Sequence, residues 1–247
     1  MRTGLTSVTF RKLSADEIIE LAAKAGLDGI EWGGDIHVPP ASPALAAETA
    51  RKCREKGLAV LSYGSYWRGG EIEDFKGVLS SAKALGAPVI RIWAGSAAPE
   101  AVSPEAFEQL VKNVRSAAEM AAAEGIGIAF EYHRNTMTQT REGAERLLSA
   151  LPERSIRAYW QPNPDISFEE QLRELDALSA RLANLHVFAW EKDGARFPLS
   201  YAADKWRTYF AKAAAAEGEH DAILEFVKDD SPEQFLADAE TLKQLLR

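Results

Sequence analysis

Apolar and polar positions alternate along this chain on two length scales. Short, mostly apolar runs, LTSVTF, GIEW, LAVLSY, PVIRIW, IGIAFEY, IRAYWQ, LANLHVF and AILEFV, are separated by longer stretches in which apolar residues recur every three or four positions. The short runs are rich in Val, Ile, Leu and aromatics, as strands covered on both faces should be. The longer stretches predict helices near residues 14–25, 43–56, 72–85, 103–124, 140–150, 168–182, 204–216 and 231–246.

Local signals bound these helices. Ser14-x-x-Glu17 and Ser167-x-x-Glu170 read as capping boxes, and Ser103-Pro104-Glu105 and Ser231-Pro232-Glu233 place an N-cap, a proline and an acid in the right order for a first turn. Gly26, Gly57, Gly86, Gly125 and Gly218 read as left-handed stops, with Pro152 and Asn184 as two more. Strict alternation of eight strands with eight helices predicts a parallel sheet, because each parallel crossover needs a connection about one helix long. An open doubly wound sheet would carry a phosphate-binding glycine fingerprint after the first strand, and GLTSVTFRKLS has none. The expected fold is therefore a closed α/β barrel, a (β/α)8 TIM barrel, as a single domain over residues 1–247.

Composition narrows the function. With 46% apolar and 27% charged residues the chain has ample material for one core. A net charge of −8 and no basic stripe argue against nucleic acid as a partner. The single cysteine, Cys53, excludes an intrachain disulfide and a cysteine-rich zinc cluster. MRTGLTSVTFRK lacks an apolar signal core and nowhere do 18 apolar residues run together, so no membrane partner and a cytoplasmic location are expected.

The candidate chemistry sits where strands end. The run IGIAFEYHRN finishes on Glu131 and His133, and three later runs finish on Gln161, His186 and Glu225. In a barrel of this kind the active site lies at the C-terminal ends of the strands. Oxygen and nitrogen donors from strands 5 to 8 suit a divalent cation of intermediate hardness, Mn2+, Co2+, Mg2+ or Zn2+. Any one of Glu131, Gln161, His186 and Glu225, taken singly, also reads as an ion-paired or hydrogen-bonded strand end. Glu31, Tyr63 and Arg91 share the mouth by their distance from the preceding helix stop, with Arg91 expected to pair with Glu31 or Glu131 or to hold an anionic group. Trp32, Tyr63, Tyr66, Trp67, Trp93, Trp160 and Trp190 lie at or just beyond strand ends and read as an aromatic wall for a sugar, or as packing between strands and helices. His133 is a candidate for a substrate oxygen and His37 for the mouth, while His220, at the opposite end, reads as structural. Arg68, Lys192 and Arg196, in two long loops after strands 3 and 7, read as solvated charges or as contacts for an anionic substrate group.

GIEW, FEYH, a polar end to strand 6, LHVF and LEF together resemble the xylose isomerase-like TIM-barrel superfamily of sugar isomerases, epimerases and endonuclease IV relatives. In its sugar epimerases Glu, Asp, His and Glu from strands 5 to 8 hold a metal, which the resemblance carries to Glu131, His186 and Glu225. Strand 6 departs from that pattern: Gln161 stands for the Asp and Pro164 for a His that often follows, leaving Asn163 and Asp165 as substitutes, or a barrel without its metal. A neutral amide lowers the ligand charge by one unit. The resemblance implies a metal-dependent isomerase or epimerase of a monosaccharide or polyol ketone, with Glu131 and Glu225 as the acid/base pair. It also implies a role for Glu31 with substrate hydroxyls or in orienting a ligand. Dimers and tetramers are common in that superfamily. Two rivals follow from the same residues: a lyase or dehydratase that adds β-elimination, on a keto-inositol or oxidised glycoside, and a non-catalytic sugar-binding barrel. A repair nuclease is disfavoured by four histidines and the acidic charge.

Overall fold

A computed structural model describes residues 1–247. Its strands are β1 (Arg2–Thr6), β2 (Gly29–Gly33), β3 (Ala59–Gly64), β4 (Val89–Ile92), β5 (Gly127–Glu131), β6 (Ile156–Trp160), β7 (Leu182–Val187) and β8 (Asp221–Leu224). They alternate with α1 (Ala15–Lys24), α2 (Pro43–Glu55), α3 (Ile72–Leu85), α4 (Pro104–Ala123), α5 (Arg141–Ala150), α6 (Phe168–Ala177), α7 (Ala203–Ala215) and α8 (Pro232–Leu245). Each strand pairs in parallel with its neighbours in sequence and β1 closes on β8, giving the expected eight-stranded barrel. No helix is long and apolar enough to cross a membrane.

The capping signals act largely as written. Ser14 and Glu17 form a reciprocal capping box, and the Ser103, Ser167 and Ser231 side chains each accept a first-turn backbone N–H. At α6 the box is only half made, because the Glu170 carboxylate accepts from Arg141 and Arg173 instead. Asn184 is no helix stop. It lies inside β7, and α6 ends earlier, at Ala177.

Two layers of side chains fill the molecule. The larger lies between the strands and the helices and includes Trp32, Tyr63, Phe75, Phe130, Trp160 and Trp206. The smaller, Leu61, Val89, Ala129, Tyr159, Ala183 and Ile223, plugs the inside of the barrel. Above this plug the interior turns polar, with Glu31, Ser62, Arg91, Glu131, His186 and Glu225 all buried.

Two register shifts prepare that polar layer. Between β2 and β3 the register slips after Ile30, so that Ser62 rather than Leu61 stands opposite Glu31. Between β6 and β7 it slips before Trp160, which pairs with Leu185, and the Gln161 side chain, one residue further on, meets that of His186. A bulge redirects side chains that strict pleating would send elsewhere, and here both do so beside the same centre.

Candidate active site

Glu31 anchors the centre from below. Its Oε2 accepts from the Ser62 hydroxyl at 2.7 Å, and its Oε1 accepts from Arg91 Nε at 3.0 Å and the Thr6 hydroxyl at 3.2 Å, with His186 Nε2 also 3.2 Å away. Burial alone would raise its pKa, but Arg91 and His186 outweigh it and hold the carboxyl well below the usual range. Glu31 has no exposed surface, and its contacts are to Thr6, Ser62, Arg91 and His186, so it is placed to orient the last two. Gly64 makes the arrangement feasible, because a Cβ there would lie 2.5 Å from Arg91 Nη2.

Arg91 continues to the next carboxylate. Its Nη1 donates to Glu131 Oε2, which also accepts from Trp93 Nε1 at 2.5 Å. Here too burial would raise the pKa, and Arg91 and His186 keep it low. One Glu131 oxygen is thereby fixed, and the other, Oε1, faces His186.

The imidazole collects the remaining donors. His186 Nδ1 lies 3.4 Å from Glu131 Oε1, 3.4 Å from Glu225 Oε2 and 3.2 Å from Gln161 Oε1. The Gln161 amide is set by its other end, where Nε2 donates to the Tyr132 carbonyl at 2.7 Å and turns Oε1 inward. Asn163 and Asp165 do not substitute for it: the Asn163 Oδ1 accepts the Asp165 N–H, and Asp165 is exposed.

These donors fit a divalent cation on two counts. Ligand atoms of Glu131, His186 and Glu225 all lie within 4.8 Å of one another, and the separations around Nδ1 are close to the roughly 3 Å expected between neighbouring ligands of an ion bound at about 2.1 Å. The charge also calls for one, since three buried carboxylates, Glu31, Glu131 and Glu225, face one guanidinium, Arg91. The imbalance also shifts the neighbouring pKa values. Burial would lower His186, yet Glu225 and Glu31 raise it to about 10, and burial pushes Glu225 up to about 7 against the pull of His186. The contact from His186 Nε2 to Glu31 matches the carboxylate that commonly orients a metal-binding imidazole.

The centre forms the floor of a cavity of about 230 Å³ lined by Arg91, Trp93, Glu131, His133, Gln161, Trp190 and Glu225, together with Val8, Arg11, Tyr66, Arg134 and Phe226. Trp93 is clamped between Arg68, 3.9 Å above its ring, and the His133 ring, stacked at 4.2 Å. The wall is narrower than the sequence suggests. Trp32, Tyr63 and Trp67 are core residues that do not line the cavity: the strand alternation that turns Glu31 and Ser62 inward turns Trp32 and Tyr63 out towards the helices, and Trp67 lies beyond the end of β3. The Tyr63 hydroxyl donates to the Val38 carbonyl, Trp67 packs on Phe75, and Trp160 packs on Trp206 and Tyr209. His37 is likewise buried outside the cavity, between the Ser7 hydroxyl and the Leu13 carbonyl. Arg196 does not line the cavity either. It pairs with Asp230 and covers the rings of Trp190 and Phe226.

Phe226 went unread in the sequence, where AILEFV looks like one uninterrupted strand. The strand stops at Leu224, and Phe226 adopts φ 48°, a left-handed conformation that bulky residues rarely take. The Thr9 hydroxyl accepts its N–H at 3.1 Å and its carbonyl accepts from Trp190 Nε1 at 3.3 Å, so the ring is fixed at the rim beside Glu225.

Fold and centre define a (β/α)8 barrel with a buried Glu/His/Glu group at the C-terminal mouth. The chain belongs to the xylose isomerase-like TIM barrel family, whose model matches residues 19–163 and so takes in Glu31, Arg91, Glu131 and Gln161. A search of curated proteins finds no match. Among solved structures the fold is similar to a probable 3-DHS dehydratase, AsbF, from Bacillus anthracis, with a TM-score of 0.82 at 17% identity over 98% of this chain and 99% of that one. It is also similar to a D-allulose 3-epimerase from Methylomonas sp., with a TM-score of 0.77 at 17% identity over 100% and 98% of the two chains. A third, the IOLI protein with a bound zinc atom, gives 0.77 at 14% identity over 100% and 98%.

Proposed function

We propose that this protein is an isomerase or epimerase of a monosaccharide or polyol ketone that works by removing a proton from the carbon beside a carbonyl. The observation that carries the reading is the convergence of Glu131, Glu225 and Gln161 oxygens on His186 Nδ1, at the floor of a cavity with aromatic and polar walls. Glu131, Gln161, His186 and Glu225 would hold a divalent cation, and its chemistry when bound would be Lewis-acid polarisation of a carbonyl and an adjacent hydroxyl. The chain's own residues do the rest. Of Glu131 and Glu225, one takes a proton from one face of a substrate carbon and the other, entering in its protonated form, delivers its own proton to the opposite face. Arg91 and Trp93 hold the outer oxygen of the Glu131 carboxylate and so set the direction in which the inner one points. Trp93, His133 and Trp190 line the substrate space and exclude water from it.

The test is solvent proton exchange. Glu131→Gln and Glu225→Gln are expected to fold as wild type, by circular dichroism, and to lose at least about 10²-fold in exchange of deuterium into a ketose. Full exchange in either variant removes that residue from the pair.

A second reading keeps the same abstraction and adds loss of a leaving group from the next carbon. The likeness to a probable dehydratase beside that to an epimerase supports carrying it. Appearance of an ultraviolet-absorbing unsaturated ketone separates elimination from epimerisation.

A further inference from the structure

Only two carboxylates line the mouth, Glu131 and Glu225, and both belong to its floor. At the rim, the loops that follow β5 and β6 contribute Arg134, Gln139 and Asn163. Three arginines line the cavity. Arg91 is shared by Glu31 and Glu131, and Arg11 is paired with Asp35, whereas Arg134 pairs with no carboxylate. Arg68, Lys192 and Arg196, the cations of the two long loops, do not line it.

The amides beside Arg134 are oriented by the backbone. Gln139 Oε1 accepts the Asn135 N–H at 2.6 Å, and Asn163 Oδ1 accepts the Asp165 N–H at 3.0 Å. Only the oxygen of an amide side chain can meet a backbone N–H, so both oxygens are committed and both NH2 groups are left to donate. Arg134 likewise offers donors and no acceptor. A guanidinium and two amide donors together suit a carboxylate or a phosphate. A hydroxyl in the same place would accept from them but would have to send its own proton to water. Acids do stand behind this rim, in an adjoining pocket that also includes Arg134, Gln139 and Asn163. Of these, Glu142 and Glu170 are paired with Arg141, and Glu174 is pushed up by burial to about 8 and is largely uncharged near neutrality. Asp165, the fourth, is exposed to solvent.

We infer that the substrate ends in an anionic group, a carboxylate or a phosphate, which Arg134, Gln139 and Asn163 hold at the rim while its carbonyl end lies at the floor. The inference rests on the sugar reading above and adds the charge of the substrate. Gln139→Glu and Asn163→Asp probe the rim with the loops kept as they are, because each retains the oxygen that accepts a backbone N–H and exchanges the donor for a negative charge. Arg134→Gln removes the cation from an exposed side chain.

The experiment is calorimetric titration of the full chain and the three variants, with Mn2+ present, against fructose, fructuronate, fructose 6-phosphate and sulfate. The three sugars share a ketone and differ only at the far end, which is a hydroxyl, a carboxylate or a phosphate. One of the two anionic ketoses should bind at least about tenfold more tightly than fructose, the worth of one hydrogen bond to a charged group, and the one that does identifies the group. Arg134→Gln, Gln139→Glu and Asn163→Asp should each lower that ratio by at least about fivefold, and raised salt should lower it in the wild type. Equal affinity for the three ketoses overturns the anion site and leaves the sugar reading standing. A preference that survives all three substitutions overturns it too, since the anion is then held elsewhere. Sulfate binding that Arg134→Gln abolishes, with no ketose bound, would keep the anion site and overturn the sugar reading. Silence from all four probes overturns both.

Discussion

The two ends of this barrel both bury polar groups and treat them differently. At the N-terminal end, Arg2 makes two hydrogen bonds to Asp221 at 2.8 and 2.9 Å, Asp28 accepts from the Thr3 N–H and hydroxyl, and Asn184 joins the Tyr159 hydroxyl to the Asp221 N–H. Each contact is closed within the protein. At the C-terminal end two of three buried carboxylates pair with one arginine, and several oxygens face one imidazole nitrogen. Closed pairing holds strands in register. Unbalanced charge on a rigid floor is an arrangement awaiting a ligand.

The comparison can be broken most sharply at His186. Titration with Mn2+ or Zn2+ should raise the melting temperature of the wild type, by the equivalent of about 2.7 kcal/mol at a hundredfold excess over Kd. His186→Ala should weaken that binding by about 100-fold or more. Equal affinity in the variant would leave the mouth no different in kind from the base. At the base, Asp28→Ala should cost about 1–3 kcal/mol in denaturant unfolding, since it strands a backbone N–H and a hydroxyl, and should leave cation affinity unchanged.

Glu174 sharpens the contrast from outside the barrel. It is buried on α6, accepts from Trp160 Nε1 at 3.3 Å, and is pushed up by burial to about 8. A carboxyl raised in the folded state favours its protonated form there, so its cost is absent below the ordinary value of about 4.5, grows as pH rises to about 8, and is constant above. Glu174→Gln should therefore be more stable than wild type by about 1–3 kcal/mol at pH 8 and equal to it near pH 4, measured by urea unfolding at both. A uniform gain at both would place the effect in packing rather than charge. The smallest effect is expected at Gln161, where Leu should lower cation affinity by about tenfold with little change in melting temperature. No change would reduce the centre to its three ionisable ligands.

Much of this was legible in the chain. Helix caps, glycine stops and eight apolar runs led to the closed barrel, and the polar ends of β5 to β8 led to Glu131, Gln161, His186 and Glu225, which the fold brings together. What failed was the facing of neighbours. Trp32 and Tyr63 adjoin inward residues and were read as part of the mouth, yet a strand sends successive side chains to opposite faces. The roles of Ser62 and Phe226 had no signal to find. Ser62 owes its place to a register shift, which depends on how two strands meet, and Phe226 to a backbone conformation that nothing in AILEFV announces.

Phe226 has one more consequence. A left-handed phenylalanine costs on the order of 1–3 kcal/mol, which glycine at the same position would largely avoid. The ring beside Glu225 is therefore a place where tolerance to mutation and usefulness to the mouth pull apart. Selection for thermal stability alone would drift towards the residue that relaxes the turn, and it would open the rim as it did so.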